Sequence, residues 1–275
     1  MSTQLSGIIK SDLTFSNETI SLTSNVQISG ILTIGENVII EGNGYTLESF
    51  GEIKIKGNST NSSTNQVIKN THIRYNSSSS SDNNKFTIDS YNLTNVSIQR
   101  ASGGAAYGHF SLTNSIINQP QDYTYIWYPR SDILISGNTF NLKDSNWGLS
   151  IGHQSTNVTI QNNTFKEHNG SRPLIENWAS YGNSKTTVIN NTFIDPSTTI
   201  FSTPSGYSSA DIFGSNNTIN LNGSSGDEID IESFITDQTD DSNRTLITDR
   251  DNLFSGNDVD ETLPSLSSSS PADNA

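Results

Sequence analysis

The sequence predicts an all-β solenoid. Three observations carry that prediction: a short phrase repeated at a near-constant period, apolar residues in phase with it, and no helical pattern between the copies. Between Ser131 and Leu221 the phrase returns four times, as Ser136-Gly137-Asn138-Thr139-Phe140, Asn162-Asn163-Thr164-Phe165, Asn190-Asn191-Thr192-Phe193 and Asn216-Asn217-Thr218-Ile219. The Asn that precedes each Thr recurs after 25, 28 and 26 residues. A period of that size, built from β-rich phrases, marks a stack of repeats in which each coil buries its apolar side against its neighbours.

Aligned on that Asn, Ile135, Ile160 and Val188 fall three residues before it, and Phe140, Phe165, Phe193 and Ile219 two residues after it. Equivalent side chains therefore form apolar columns. After Gly, Asn is the residue that most readily accepts a left-handed backbone, so it is assigned the sharp bend between two short strands. Stacked bends would also let each carboxamide hydrogen-bond to the next coil. Around the bend the pattern predicts three strands per repeat, for example Trp147 to Ile151, Val158 to Gln161 and Thr164 to Lys166, with Gly, Ser, Asn and Pro between them. The competing reading is an antiparallel β-sandwich with coincidental Asn-Thr turns, which requires four in-phase copies to arise by accident. From Ile20 to about Arg250 there is room for roughly nine coils at the usual strand spacing.

Three short strands per turn, with an Asn at each bend, resemble the right-handed, single-stranded parallel β-helix of the pectate-lyase-like superfamily. The resemblance implies a right-handed coil. In the enzymes of that group it also implies a cleft for an acidic polysaccharide on the outer face of one sheet.

From Ile20 to Gly57 apolar and polar residues alternate between glycines, as half-buried strands do: Leu32 and Ile34, Val38 and Ile40, Leu47, then Ile53 and Ile55. Residues 1 to 19 are expected to cap the first coil, because a bare solenoid end leaves strand edges exposed. Asn58 to Asn65 and Asn76 to Asn84 hold almost nothing apolar and read as projecting loops. Val67 to Tyr75, Leu93 to Gln99 and Phe110 to Ile117 continue the strands, with a looser Asn register at Asn70, Asn95 and Asn114. The solenoid is expected to span residues 20 to 250, and residues 251 to 275 to form an acidic, Ser-rich linker tail. Its last words, Ser269 to Ala275, resemble the opening phrase of bacterial Ig-like domains. That likeness implies a segment of a larger exported, multidomain surface protein, monomeric within its chain.

Only 31% of the 275 residues are hydrophobic and 15% charged, so Ser, Thr, Asn and Gly supply the polarity. The absence of Cys removes disulfides, thiolate metal sites and cysteine nucleophiles together. A net charge of −14 argues against nucleic acid as a partner, since that affinity rests on Lys and Arg neutralising phosphates. No apolar run is long enough to insert into a membrane, and the first ten residues lack the basic start and apolar core of a signal peptide. The expected location, extracellular or on a cell surface, therefore rests on the resemblance and on the chain being an excised piece. Thirteen Asn-x-Ser/Thr sequons, among them Asn17, Asn92 and Asn157, are what so Asn-rich a chain holds by chance.

Three groups of residues are candidates for chemistry. Tyr123, Tyr125, Trp127 and Tyr128 form a dense run before Arg130, and Trp147, Trp178 and Tyr181 fall in the next two coils. If these rings point outward, Tyr125, Trp127, Tyr128, Trp178 and Tyr181 make a platform for a polysaccharide or cell-surface glycan beside His153, His168, Arg172 and Glu176. If they point inward, they fill the core, and alternation with Leu149 and Ile151 places Trp147 there. For catalysis the candidates are Glu176, Arg172 and His153. A glycosidase would need two carboxylates, to be drawn from Asp132, Asp144, Glu176 and Asp195, but no spacing selects a pair. The Asn-Thr-Asp, Asp-Asp, Gly-His-Gly and Arg-Ile-Lys set of polygalacturonase-like enzymes is not present: Gly152-His153 lacks its second Gly, and the one Asp-Asp lies in the terminal acidic phrase.

The third group lies near the end. Residues 227 to 261 carry twelve acidic residues against Arg244 and Arg250, in a phrase resembling the closing coil of bacterial β-helix domains. Glu228, Asp230 and Glu232 alternate with Ile229 and Ile231, so a strand there puts three carboxylates on one face. Ca²⁺, the one cofactor considered, would relieve their repulsion; a solubilising end coil is the alternative. The first expectation for the whole chain is thus a structural or adhesion module with a glycan-binding face, and the second a polysaccharide lyase or glycoside hydrolase.

Overall fold

The computed structural model describes residues 2–60, 65–76, 85–100, 109–129, 131–143, 145, 147–152, 156–168, 170–178, 185–194, 200–203, 211–215, 217–220 and 235–237. Among them there is no helix, and every strand pairing is parallel. The strands form sheets of eleven, nine and five members, and each strand pairs with its counterparts roughly one period away. Val158–Gln161, for example, lies between Ile133–Ser136 and Lys185–Ile189, with Val158 opposite Ile133 on one side and Thr186 on the other. Strands that recur once per period and pair only in parallel make the chain a parallel β-solenoid.

Each coil passes from the nine-stranded sheet through a bend to the eleven-stranded sheet and on to a third side. In the early coils the last two sides are one long bent strand. Thr19–Ile28 pairs with Ile39–Glu41 through its first half and with Thr46–Ser49 through its second. Val67–Tyr75 and Asn92–Arg100 do the same, bending at Asn70 and Asn95 with φ of 55° and 54°. Later coils break at this corner, and the third side becomes the five-stranded sheet of Thr124–Trp127, Leu149–Gly152, Ile175–Asn177, Phe201–Thr203 and Ile235–Asp237.

Alternate residues of every side point inward and stack by type. Leu32 and Ile34, Ile53 and Ile55, Phe86 and Ile88, and Phe110 and Leu112 line the nine-stranded sheet, all fully buried. Ile20, Ile40, Ile68, Leu93 and Ile117 form the facing column, continued by Phe140, Phe165 and Phe193. Those three rings stack nearly parallel, with centroids 4.6 and 5.2 Å apart. The strand boundaries follow the sequence pattern closely: Val158–Gln161, Thr164–Lys166 and Val67–Tyr75 are as expected, and Leu149–Gly152 starts two residues later.

The bend between the first two sides corrects one expectation. The left-handed residue is not the Asn before Thr but its predecessor: Gly137, Asn162 and Asn190 have φ of 69°, 55° and 55°. Asn17, Asn37, Ser90 and Asn114 hold the same conformation in earlier coils. The following Asn turns inward instead. Asn138, Asn163, Asn191 and Asn217 are each at most 1% exposed. Each Oδ1 from Asn163 to Asn217 accepts both the backbone N–H and the Nδ2–H of the preceding member at 3.0 Å. Each Nδ2 also donates to a carbonyl, those of Leu112, Ile135, Ile160 and Val188 respectively. Earlier coils fill the same place differently: Ser115 N–H donates to Asn138, and Tyr91 N–H to Ser115 Oγ. Asn70 and Asn95 belong to the other corner, where they form a separate outer ladder to Glu41.

At the start of the chain Ser2–Ile9 adds a parallel strand against Thr19–Ile28, with a register shift between Leu5 and Gly7, and Ile8 is exposed. Most of the two Ser/Asn-rich stretches expected to be loops, and everything beyond Asp237, lie outside the described residues. No described helix is long and apolar enough to cross a membrane.

Candidate functional site

The outer face of the third side collects the aromatic and charged residues. On Thr124–Trp127 the alternation sends Thr124 and Ile126 into the core and leaves Tyr125 and Trp127 half-exposed outside. One coil on, Ser150 lies opposite Tyr125 and Gly152 opposite Trp127. One coil further, Glu176 lies opposite Ser150, and Trp178 follows Asn177. The Gly matters because a Cβ at 152 would sit 2.8 Å from the Trp127 indole. With that space empty, Trp127 and Trp178 meet across it, centroids 5.8 Å apart.

Neighbouring polar groups fix the rings. Trp127 Nε1 donates to Ser150 Oγ and Trp178 Nε1 to Glu176 Oε2, both at 3.0 Å. Tyr125 donates its hydroxyl to Asp122 Oδ1 at 3.0 Å, and Gln99 Nε2 donates to Asp122 Oδ2 at 3.0 Å. Tyr128, held at φ 57°, carries the Arg100 guanidinium over its ring at 4.4 Å. Trp147 is half-exposed, with Arg172 at 5.3 Å over its ring. Trp147 is therefore not core as alternation suggested, because the strand begins only at Leu149 and the pattern does not extend back to it. Tyr123 is the inward member, 2% exposed, packed edge-on to Trp147 and donating to the Pro173 carbonyl at 2.9 Å.

The local electrostatics follow from burial beside carboxylates. Burial, then the charges of Asp122 and Glu176, push the Tyr125 phenol up to about 12. Burial, then Glu176, push Tyr123 up as well. Both phenols stay neutral donors. Two coils below Tyr125, His72 Nδ1 lies 2.6 Å from Ser97 Oγ. Burial and the Arg74 charge lower the His72 pKa, while Asp122 opposes them, so its imidazole is neutral at pH 7.

The sequence candidates divide as follows. Tyr125, Trp127, Tyr128, Trp178, Arg172 and Glu176 share this one face. His168 does not join them, being buried at 1% exposure. Asp132 stands at another corner, ahead of the nine-stranded sheet's Ile133–Ser136, where its Oδ1 accepts from Thr156. Arg130, Asp144, His153, Tyr181, Asp195 and the row Glu228, Asp230 and Glu232 lie outside the described residues. Among the described residues no three His, Asp or Glu side chains converge as a metal site.

Sequence reasoning missed Asp122, Gln99, Ser150 and Gly152. Asp122 was findable as the carboxylate directly before the aromatic run. Gln99 and Gly152 were not, because their roles depend on the register between coils. Comparison with family models, with curated proteins and with solved structures finds no match for this chain.

Proposed function

We propose that the outer face of the third side is a carbohydrate-binding platform on a structural or adhesion module. The observation that carries this reading is the Trp127–Trp178 pair: two outward indoles brought together over Gly152, each with its N–H already held by a neighbour. Flat, half-exposed rings fixed in place offer apolar surface to the C–H faces of sugar rings at little entropic cost, while the exposed Arg172 beside them meets their hydroxyls. The carboxylates here are committed to that framework. Asp122 accepts from Tyr125, Gln99 and the Tyr123 N–H, and Glu176 accepts from Trp178. Groups so occupied suit recognition better than proton transfer, which favours binding over a polysaccharide lyase or hydrolase.

The reading extends to a right-handed β-helix of the pectate-lyase-like kind, carried in a larger exported surface protein. Its support is the coil length, the Asn ladder and the Ig-like phrase at Ser269 to Ala275. The deciding experiment is calorimetric titration against a panel of neutral and acidic polysaccharides, with reducing ends and unsaturated products measured in parallel. Binding lost in Trp178→Ala, with no cleavage, supports the platform; cleavage abolished in Glu176→Gln overturns it in favour of an enzyme.

A further inference from the structure

The arginines and the strand lysines among the described residues are segregated. Arg74, Arg100 and Arg172 all belong to the third side of the coil, Arg74 and Arg100 in the second halves of the bent strands, whereas Lys54, Lys56, Lys69, Lys85, Lys166 and Lys185 stand on the other two sides. Arg100 and Arg172 lie over aromatic rings, but Arg74 is placed differently. It is half-buried, opposite Glu48 on one neighbouring strand and Gln99 on the other. Its guanidinium has no hydrogen-bond or ion-pair partner among the described residues. The nearest carboxylate in register does not supply one. Glu48 accepts instead from Gln27 at 3.0 Å and Asn76 at 2.7 Å. On the other side, Gln99 passes its amide to Asp122, which in turn holds Tyr125, so a hydrogen-bonded row runs from the neighbour of Arg74 to the aromatic platform.

A half-buried guanidinium left unpaired between a carboxylate engaged elsewhere and a carboxamide is a fork of donors without an acceptor. We propose that Arg74 is the specificity-determining residue of this face, taking one anionic substituent, a carboxylate or sulfate, on an otherwise uncharged glycan. The inference rests on the platform reading above. The glycan lies along the stacked coils, its neutral rings over Trp127 and Trp178. About two strand spacings, roughly 10 Å, separate Arg74 from the Tyr125 strand, so the charged group belongs about a disaccharide away. A chain with a charge on every ring is disfavoured. Such a polyanion would meet Asp122 and Glu176 beside the platform, in a protein of net charge −14.

The test uses the full chain and four probes: a neutral gluco-oligosaccharide, the same chain with one glucuronate, the same chain with one sulfate ester, and oligogalacturonate of equal length. One charge-assisted bidentate contact is expected to make at least one singly charged probe bind about tenfold tighter than the neutral one. Oligogalacturonate should bind more weakly than that probe. Whichever of glucuronate or sulfate is preferred identifies the group. Arg74→Gln should reduce the preference to near unity, and Arg74→Lys should restore only part of it; circular dichroism checks that both fold. Equal binding of neutral and charged probes, tightest binding of oligogalacturonate, or a preference that survives Arg74→Gln overturns the inference. If that happens while Trp178→Ala still abolishes binding, the platform stands and the Arg74 assignment falls. If no probe binds, both fall.

Discussion

Asn191 Oδ1 takes two hydrogen bonds from Asn163, one from its backbone N–H and one from its side-chain Nδ2, each at 3.0 Å and across 28 residues. The pair is one rung of a ladder in which each buried amide is satisfied by the coil above or below. The arrangement also accounts for two of the sequons: an exposed left-handed Asn, a buried ladder Asn and an outward strand Thr spell Asn-Asn-Thr at 162 and at 190. They are by-products of the bend.

Removing one rung should therefore be costly. Asn191→Ala strands the N–H and Nδ2–H of Asn163, loses the donor to the Ile160 carbonyl and removes one of the two bonds to Asn217 Oδ1, the backbone N–H at 191 keeping the other. Unmatched buried groups of this kind cost about 1–3 kcal/mol each, with partial relief from relaxation, so a loss of roughly 3 kcal/mol is expected. Urea titration measures it. Asn190→Gly, at the left-handed corner, should change stability by well under about 1 kcal/mol, since the conformation suits Gly.

Phe165 stacks between Phe140 and Phe193 and is 1% exposed. Phe165→Ala should cost about 3–5 kcal/mol by opening a cavity at the centre of the column, while Phe165→Leu should cost less. Thermal melts of the two variants separate a packing role from a merely local one.

Gly152→Val puts side-chain atoms where the Trp127 and Trp178 rings converge. The rings are half-exposed and can move outward, so stability should fall by only about 1 kcal/mol while glycan affinity falls about tenfold or more. Unchanged affinity would show that the indole pair is not the platform.

Stability should also decline at high pH. Tyr91, Tyr123 and Tyr125 all have phenol pKa values raised above 10, Tyr125 to about 12, chiefly by burial. The folded chain keeps these protons after the unfolded chain has lost them, so the contribution is full below about pH 10 and is lost as pH rises through the folded values. His72 and His109 act at the other end. Their depressed values give stability that is present above pH 6.5 and lost as pH falls through the folded pKa. Denaturation midpoints measured from about pH 5 to pH 12 should form a plateau flanked by two declines. Tyr125→Phe should soften the alkaline one.

The sequence by itself determined the architecture. A period of 25 to 28 residues, apolar columns in phase with it and one Asn before each Thr leave few ways to satisfy backbone and core other than by stacking coils, and the observed ladder uses those very Asn residues. Strand positions were legible for the same reason, since period-two alternation fixes which side chains are buried. Which residue of each pair bends the chain was decided only by the fold, because at 162–163 and at 190–191 both are Asn and either accepts the left-handed conformation. The face was likewise settled in three dimensions. Whether Trp147 points in or out depends on where its strand starts, and the meeting of Trp127, Gly152 and Trp178 depends on pairing register between coils. Register is a property of neighbouring coils, joined by connections of unequal length. No local pattern announces that Gln99 and Asp122, 23 residues apart, will share a hydrogen bond, because only the stacking of one coil on the next brings them together.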